Sequence, residues 1–145
     1  MLIPDINILV HAYNLDSPDH QVARKWWEGT LRQPRPVGIA WATCLGFIRI
    51  TTNRRILANP LAVQDAVRRV RSWLQDPCVR IVGPGDRHAE ILFDLLSKLG
   101  TAGNLTTDAH LAALAIEYQA ELVSTDTDFS RFPGLRWFNP LPLRH

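Results

Sequence analysis

The sequence is poor in cysteine. Cys44 and Cys78 are the two cysteines among 145 residues, and they lack the spacing of metal-binding motifs. With a hydrophobic content of 46%, a chain of this length can bury a core without the help of disulfide bonds. We therefore expect two free thiols in a reducing compartment, and hence a cytoplasmic location.

Long apolar runs are missing as well. The longest uncharged stretch near the middle of the chain, Pro36 to Ile48, is too short to cross a bilayer. The amino terminus has neither a basic region nor a cleavage site, so no signal peptide is expected. Long polar and low-complexity tracts are also absent, which predicts one folded domain over residues 1–145.

The motifs of several large enzyme classes are absent. There is no phosphate-binding P-loop, no Gly-rich dinucleotide fingerprint and no nucleophile elbow around a serine. Cys44 has no histidine near it in sequence, and the five histidines are scattered. His110 follows Asp108 by two positions, so on a helix it points away from that acid, which favours a packing or surface role.

The chain alternates between strand and helix patterns. Short apolar runs predict strands at 1–5, 37–40, 79–82, 122–124 and 135–138. Helical periodicity and capping residues predict helices at 6–14, from 17 to about 31, from 41 through 49, at 62–74, 86–100 and from 106 to about 119. This alternation predicts an α/β fold in which helices cover both faces of a mainly parallel sheet.

The second predicted helix carries two adjacent tryptophans. Its start at Ser17-Pro18-Asp19 combines a capping hydroxyl, a proline and an acid. We expect Val22, Trp26 and Leu31 to face inward. Trp26 and Trp27 cannot both face one core from a helix, so one of them is expected to meet a partner.

Acids stand at three places inside otherwise apolar segments. Asp5 ends the first predicted strand, Asp108 lies in the first turn of the last helix, and Asp126 and Asp128 follow the fourth strand. Functional groups gather beyond the carboxyl ends of parallel strands, so these acids can share one rim of the sheet. Each alone could be a helix cap or a turn residue, but together they favour one anionic pocket.

A cluster of carboxylates is suited to a divalent cation. Like charges raise one another's pKa or lower stability, and a cation relieves the repulsion. Mg²⁺ and Mn²⁺ favour carboxylate oxygens and keep waters that phosphate oxygens can replace. Such an ion can activate water for phosphodiester cleavage. Asp126-Thr127-Asp128 also matches the short Asp-x-Asp of some glycosyltransferases and phosphatases, so a phosphatase stays open as an alternative.

Taken together, the motifs resemble those of the PIN-domain ribonucleases, in particular the VapC toxins of bacterial toxin–antitoxin pairs. The resemblance spans nearly the whole chain and rests on PDINILV at 4–10, DAHLAALA at 108–115 and LVSTDTDF at 122–129, while GFIRITTN at 46–53 is similar to a subgroup of these toxins. It implies a PIN-like three-layer α/β/α sandwich and Mg²⁺- or Mn²⁺-dependent endonucleolytic cleavage of RNA, with tRNA and ribosomal RNA both open as substrates. It also implies a homodimer and neutralisation by a VapB-type antitoxin.

The resemblance assigns roles by position. The implied metal ligands are Asp5, Asp108, Asp126 and Asp128, of which the first three are also the implied catalytic residues. Asn7 and Ser124 match polar positions that support these ligands.

One position departs from the pattern of the family. A Glu usually precedes the aromatic-x-Arg segment, whereas this chain has Gly46 there and no acid between residues 41 and 53. Glu117 is a poor substitute because it lies more than two helical turns from Asp108. We therefore expect weaker binding of a second metal, or one-metal chemistry. A non-catalytic PIN-like module that binds RNA or protein is the alternative function.

Arginines are the candidate contacts to a polyanion. The formal charge of +2 and the isoelectric point of about 8.8 permit such a partner without requiring one. Arg49, Arg54 and Arg55 follow an apolar helix and are predicted to bind RNA phosphates near the pocket. The alternative is a solvated helix end.

Overall fold

The computed structural model describes residues 1–100 and 103–142, so residues 101–102 and 143–145 of the predicted single domain lie outside the described residues. The strands are β1 (Leu2–Pro4), β2 (Val37–Ala40), β3 (Val79–Val82), β4 (Glu121–Val123) and β5 (Trp137–Phe138). The α-helices are α1 (Ile6–Tyr13), α2 (His20–Arg32), α3 (Trp41–Thr51), α4 (Val63–Gln75), α5 (His88–Leu99) and α6 (Thr106–Glu117). Across the two described ranges, no helix combines the length and apolar character needed to cross a membrane.

The five strands form one parallel sheet in the order β3-β2-β1-β4-β5. The central strand β1 pairs with β2 through Leu2 and Val37, and with β4 from Leu2 opposite Glu121 to Pro4 opposite Val123. All three residues of β1 are buried, as expected for a parallel strand that has helices on both faces. The predicted α/β fold is confirmed.

Two hydrophobic cores lie on opposite faces of the sheet. One joins Ile3 and Leu122 to α6, which is buried nearly all round. The other joins Val37 and Ile39 to the helices α1 to α4. Its centre is a set of aromatic rings in which Trp73 packs edge-on against Phe47 and Trp27, at centroid distances of 4.7 and 6.0 Å. This packing holds α1, whose first residue follows Asp5.

Helix α2 differs from the prediction in its start and in its phase. It begins at His20, because the Ser17 hydroxyl accepts the N–H of Asp19 at 3.1 Å and bonds Nδ1 of His11 at 2.7 Å instead of capping a helix. The expectation that Val22 faces inward was wrong, since Val22 is 42% exposed. Trp27 packs into the aromatic core, and Trp26 and Leu31 are partly buried against the same core. The expectation that the two tryptophans cannot face one core was therefore wrong.

Candidate active site

Asp5 lies at the carboxyl end of the central strand and directly before α1. Its N–H donates to the carbonyl of Val123 at 2.8 Å, so the neighbouring strand fixes its backbone. Its Oδ1 accepts the N–H of Ile6 at 2.7 Å, and its Oδ2 accepts the hydroxyl of Ser124 at 2.8 Å. The side chain is 3% exposed. Both carboxylate oxygens therefore have fixed positions before any ligand arrives.

Ser124 connects Asp5 to the loop that follows β4. Its hydroxyl donates to Asp5 and accepts the N–H of Asp126 at 3.0 Å. The Oδ1 atom of Asp126 in turn accepts the N–H of Asp128 at 2.8 Å, which starts the 3₁₀ turn Thr127–Arg131. Asp126 is partly buried, whereas Asp128 is exposed. One buried hydroxyl thus sets the position of two acids that are far apart in sequence.

Asp108 reaches the same rim from the first turn of α6. Burial raises its pKa most, and the charges of Asp5, Asp126 and Asp128 raise it further, to about 6. The pKa of Asp5 is also raised, by burial first and by the Asp126 charge last, against the hydrogen bonds from Ser124 and Ile6. Charges shift one another's pKa only at short range. Hydrogen bonds through Ser124 thus connect Asp5 to Asp126 and Asp128, and Asp108 lies near enough for their charges to raise its pKa.

The donor set of this rim suits a hard divalent cation. In the part of the chain that the structure describes, no three Asp, Glu, His or Cys side chains are arranged as a metal cage. A Mg²⁺ ion does not need such a cage, because it is usually held by one or two carboxylates and completes its shell with waters and phosphate oxygens. The mutual repulsion that raises the Asp108 pKa is what a bound cation would relieve.

The raised pKa of Asp108 gives the metal-free protein a pH-dependent stability. Because the folded state holds this proton up to about pH 6 and the unfolded chain releases it near its ordinary pKa, the group favours folding at low pH, and this contribution disappears as pH rises through 6. Asp108→Asn should therefore raise the free energy of unfolding in EDTA at about pH 7.5 by roughly 1 kcal/mol, a value discounted for partial exposure. Urea unfolding between about pH 5 and 8 measures this. An unchanged pH slope in the variant would contradict the prediction.

The remaining predicted site residues are all exposed, and within the described ranges none of them forms a hydrogen bond or ion pair with the four aspartates. Asn7 is exposed in the first turn of α1. Arg49, Arg54 and Arg55 are exposed in and after the last turn of α3. The chain just past them, at Leu57, lines a cavity together with Tyr13 and Asn14, at the end of α1 opposite Asp5. The eight residues of α1 put this cavity roughly 12 Å from the acids.

Gly46 is buried where α3 packs against the first turn of α1. A Cβ atom built on Gly46 would lie 2.9 Å from Cγ1 of Ile6 and closer still to its Cδ1. The side chain of Ile6 therefore fills the space in which a glutamate would begin. Glu117 does not compensate, because its two carboxylate oxygens accept the N–H groups of Gly85 and Arg87 at 2.8 and 2.9 Å.

His88 and His110 form a pair next to this rim that was not predicted from the sequence. The Nε2 atom of buried His88 lies 3.0 Å from Nδ1 of His110 and links the start of α5 to α6. This contact agrees with a packing role for His110. No sequence pattern pairs two histidines that are 22 positions apart, so the contact depends on how the two helices meet.

Comparison with known proteins gives a family match and close relatives. A model of the PIN domain matches residues 2–135. Ribonuclease VapC33 of Mycobacterium tuberculosis is 48% identical over 141 residues, which are 97% of this chain and 99% of that protein. Ribonuclease VapC37 of the same organism is 43% identical over 140 residues, 97% of each chain.

Solved structures show the same fold at low sequence identity. Mycobacterium tuberculosis VapC20, a Sarcin-Ricin loop cleaving toxin, matches with a TM-score of 0.69 at 17% identity over 94% of this chain and 99% of that one. VapBC2 from Rickettsia felis, bound to a DNA fragment from its promoter, matches with a TM-score of 0.69 at 17% identity over 95% of this chain and 97% of that one.

Proposed function

The chain belongs to the PIN-domain family and to its VapC ribonucleases, and from this premise we propose that it is the toxin of a toxin–antitoxin pair that cleaves RNA endonucleolytically with Mg²⁺ or Mn²⁺. The proposal treats residues 1–145 as a single PIN domain. The observation that carries it is the hydrogen-bonded connection of Asp5 through Ser124 to Asp126 and on to Asp128, to which Asp108 adds a carboxyl whose pKa their charges raise.

The aspartates of the rim would have different roles. A bound divalent ion would supply charge stabilisation at the scissile phosphate and an activated water. Asp5 would be the fixed ligand, because strand pairing, the N–H of Ile6 and the hydroxyl of Ser124 hold its carboxylate in place. Asp108 and Asp126 would complete the charge of the site. The exposed Asp128 would act at the outer edge, where waters and the RNA backbone enter.

The likeness to a VapBC assembly supports a VapB-type antitoxin as partner. A homodimer is supported by an apolar strip on α3, where Trp41 and Leu45 lie one helical turn apart and are 52% and 62% exposed. Exposed apolar patches that are rimmed by polar residues often mark protein–protein interfaces. The predicted RNA contacts of Arg49, Arg54 and Arg55 remain part of the proposal, for an RNA long enough to pass along α1.

Metal dependence provides the decisive test. Purified protein incubated with structured RNA should produce discrete cleavage products in Mg²⁺ or Mn²⁺, lose all cleavage in excess EDTA, and regain it when metal is added back. Denaturing gels and end-labelled RNA measure this. Binding of RNA without cleavage under every metal condition would favour the non-catalytic module. That alternative arises because Gly46 stands where the resemblance implies a Glu. Hydrolysis of small phosphomonoesters alone would favour a phosphatase.

A further inference from the structure

Cations gather at the amino ends of the parallel strands, at the opposite end of the strands from the acidic rim. Arg35 lies in the connection before β2, and its Nη2 atom pairs with Oε1 of Glu121, the first residue of β4, at 2.6 Å. Arg136 directly precedes β5 and is close enough to Glu121 to lower the pKa of that carboxyl. Lys25 is exposed on α2 beside them. Three cations and one acid, Glu121, leave an excess of positive charge at the amino ends of the strands.

A groove of about 460 Å³ opens beside these cations, within the range typical of ligand sites. It lies between α2 and the sheet, and Lys25, Trp26, Arg35 and Phe138 are among its lining residues. The ring of Trp26 packs beside buried Trp27 with a centroid distance of 6.1 Å and an angle of 31° between planes. Trp26 is therefore held in place while part of it stays exposed to the groove.

We propose that this groove binds a single-stranded segment of RNA, with a base stacked on Trp26 and phosphates at Lys25 and Arg35, the two cations that line it. An aromatic ring flanked by cations is the usual arrangement for single-stranded nucleic acid, because bases stack on the ring and phosphates pair with the charges. An acidic peptide would use the cations but would leave the aromatic face without a planar partner.

The groove can act together with the acidic rim. The strands at the centre of the sheet are three or four residues long, so about 10–13 Å of sheet separates the two edges. An RNA strand that lies along this side of the molecule can therefore reach both. The inference rests on the proposed RNA substrate, but binding in the groove requires neither the metal nor cleavage.

Gly29 offers a matched pair of variants. It lines the groove, and a Cβ atom added there would meet no heavy atom within 4 Å. Gly29→Glu and Gly29→Gln add side chains of the same size, but only the first adds a negative charge. Fluorescence anisotropy with labelled oligo(A) in EDTA should show about tenfold weaker binding for Gly29→Glu than for Gly29→Gln. Trp26→Leu should weaken oligo(A) binding by a similar factor while leaving duplex RNA binding unchanged, and thermal melting checks its fold.

The same measurements separate this proposal from the proposed function. Asp5→Asn should bind oligo(A) as tightly as the wild type, because the groove is at the other edge. Equal oligo(A) affinity of Gly29→Glu and Gly29→Gln would overturn the proposal, and so would a Gly29→Glu variant that loses antitoxin binding but keeps RNA binding. Groove-dependent RNA binding in a protein that never cleaves RNA would leave this proposal standing and refute the nuclease.

Discussion

Asp5→Asn should reduce RNA cleavage by about a thousandfold or more, because it removes the carboxylate with the most fixed position on the rim and with it several kcal/mol of metal-based stabilisation. The fold should survive, since an asparagine oxygen can still accept the N–H of Ile6. Burial raises the pKa of Asp5, so removing this charge should also raise the melting temperature of the metal-free protein. Cleavage of a fluorescent RNA reporter in Mg²⁺ and thermal melting in EDTA measure the two effects.

The matched control for Asp5→Asn is Asp94→Asn on α5. Asp94 is exposed and loses only a surface ion pair with Lys98 at 2.9 Å, which contributes less than about 1 kcal/mol. The Asp94→Asn variant should therefore cleave RNA at the rate of the wild type. Near wild-type cleavage by Asp5→Asn would refute the metal role of Asp5. A parallel loss in both variants would show that overall charge, and not the rim, controls the activity.

Gly46→Glu should destabilise the protein by about 1–3 kcal/mol, the usual cost of forcing atoms into a packed space, because its Cβ would collide with the side chain of Ile6. Ile6→Ala should relieve the collision, so that the double variant is more stable than the sum of the two single changes predicts. Urea unfolding of the wild type, both single variants and the double variant measures this coupling. Additive effects would show that Ile6 does not control the space at Gly46.

The double variant also tests the metal stoichiometry of the site. The resemblance to the family implies an acid at the position that Gly46 occupies, so calorimetry with Mn²⁺ on the wild type should detect one tight site at most. Restoring a carboxylate beside a vacated Ile6 position should strengthen metal binding, because an added anionic ligand near Asp5 increases the charge that the cation neutralises. Two tight and equivalent sites in the wild type would contradict one-metal chemistry.

Much of the architecture was predictable because it depends on local patterns. The apolar run before Asp5 and the periodic apolar run after Asp108 identify a strand and a helix from neighbouring residues alone. Parallel strands place their carboxyl ends at one edge, so these patterns were enough to expect Asp5 and Asp126 near each other, and the Ser124 hydroxyl joins the two in the structure. The PIN-domain resemblance drawn from the same motifs is confirmed by the family match.

The features that were not predictable depend on contacts between distant residues. The space at Gly46 is decided by Ile6, which lies on another helix. The phase of α2 is decided by Trp27, because its ring packs against Trp73 from α4. The partner of His110 is decided by the meeting of α5 and α6. In each case the sequence contains several residues that could make the contact, and the packing of the folded chain determines which of them does.

The hydrogen bond between Ser124 and Asp5 also has a consequence for the order of events during synthesis. Its two ends are 119 positions apart, so the ribosome makes Asp5 long before Ser124. Until β4 has left the exit tunnel, neither the Val123 carbonyl nor the Ser124 hydroxyl is available to hold Asp5. An unfinished chain therefore cannot hold Asp5 in the position that it has in the finished fold.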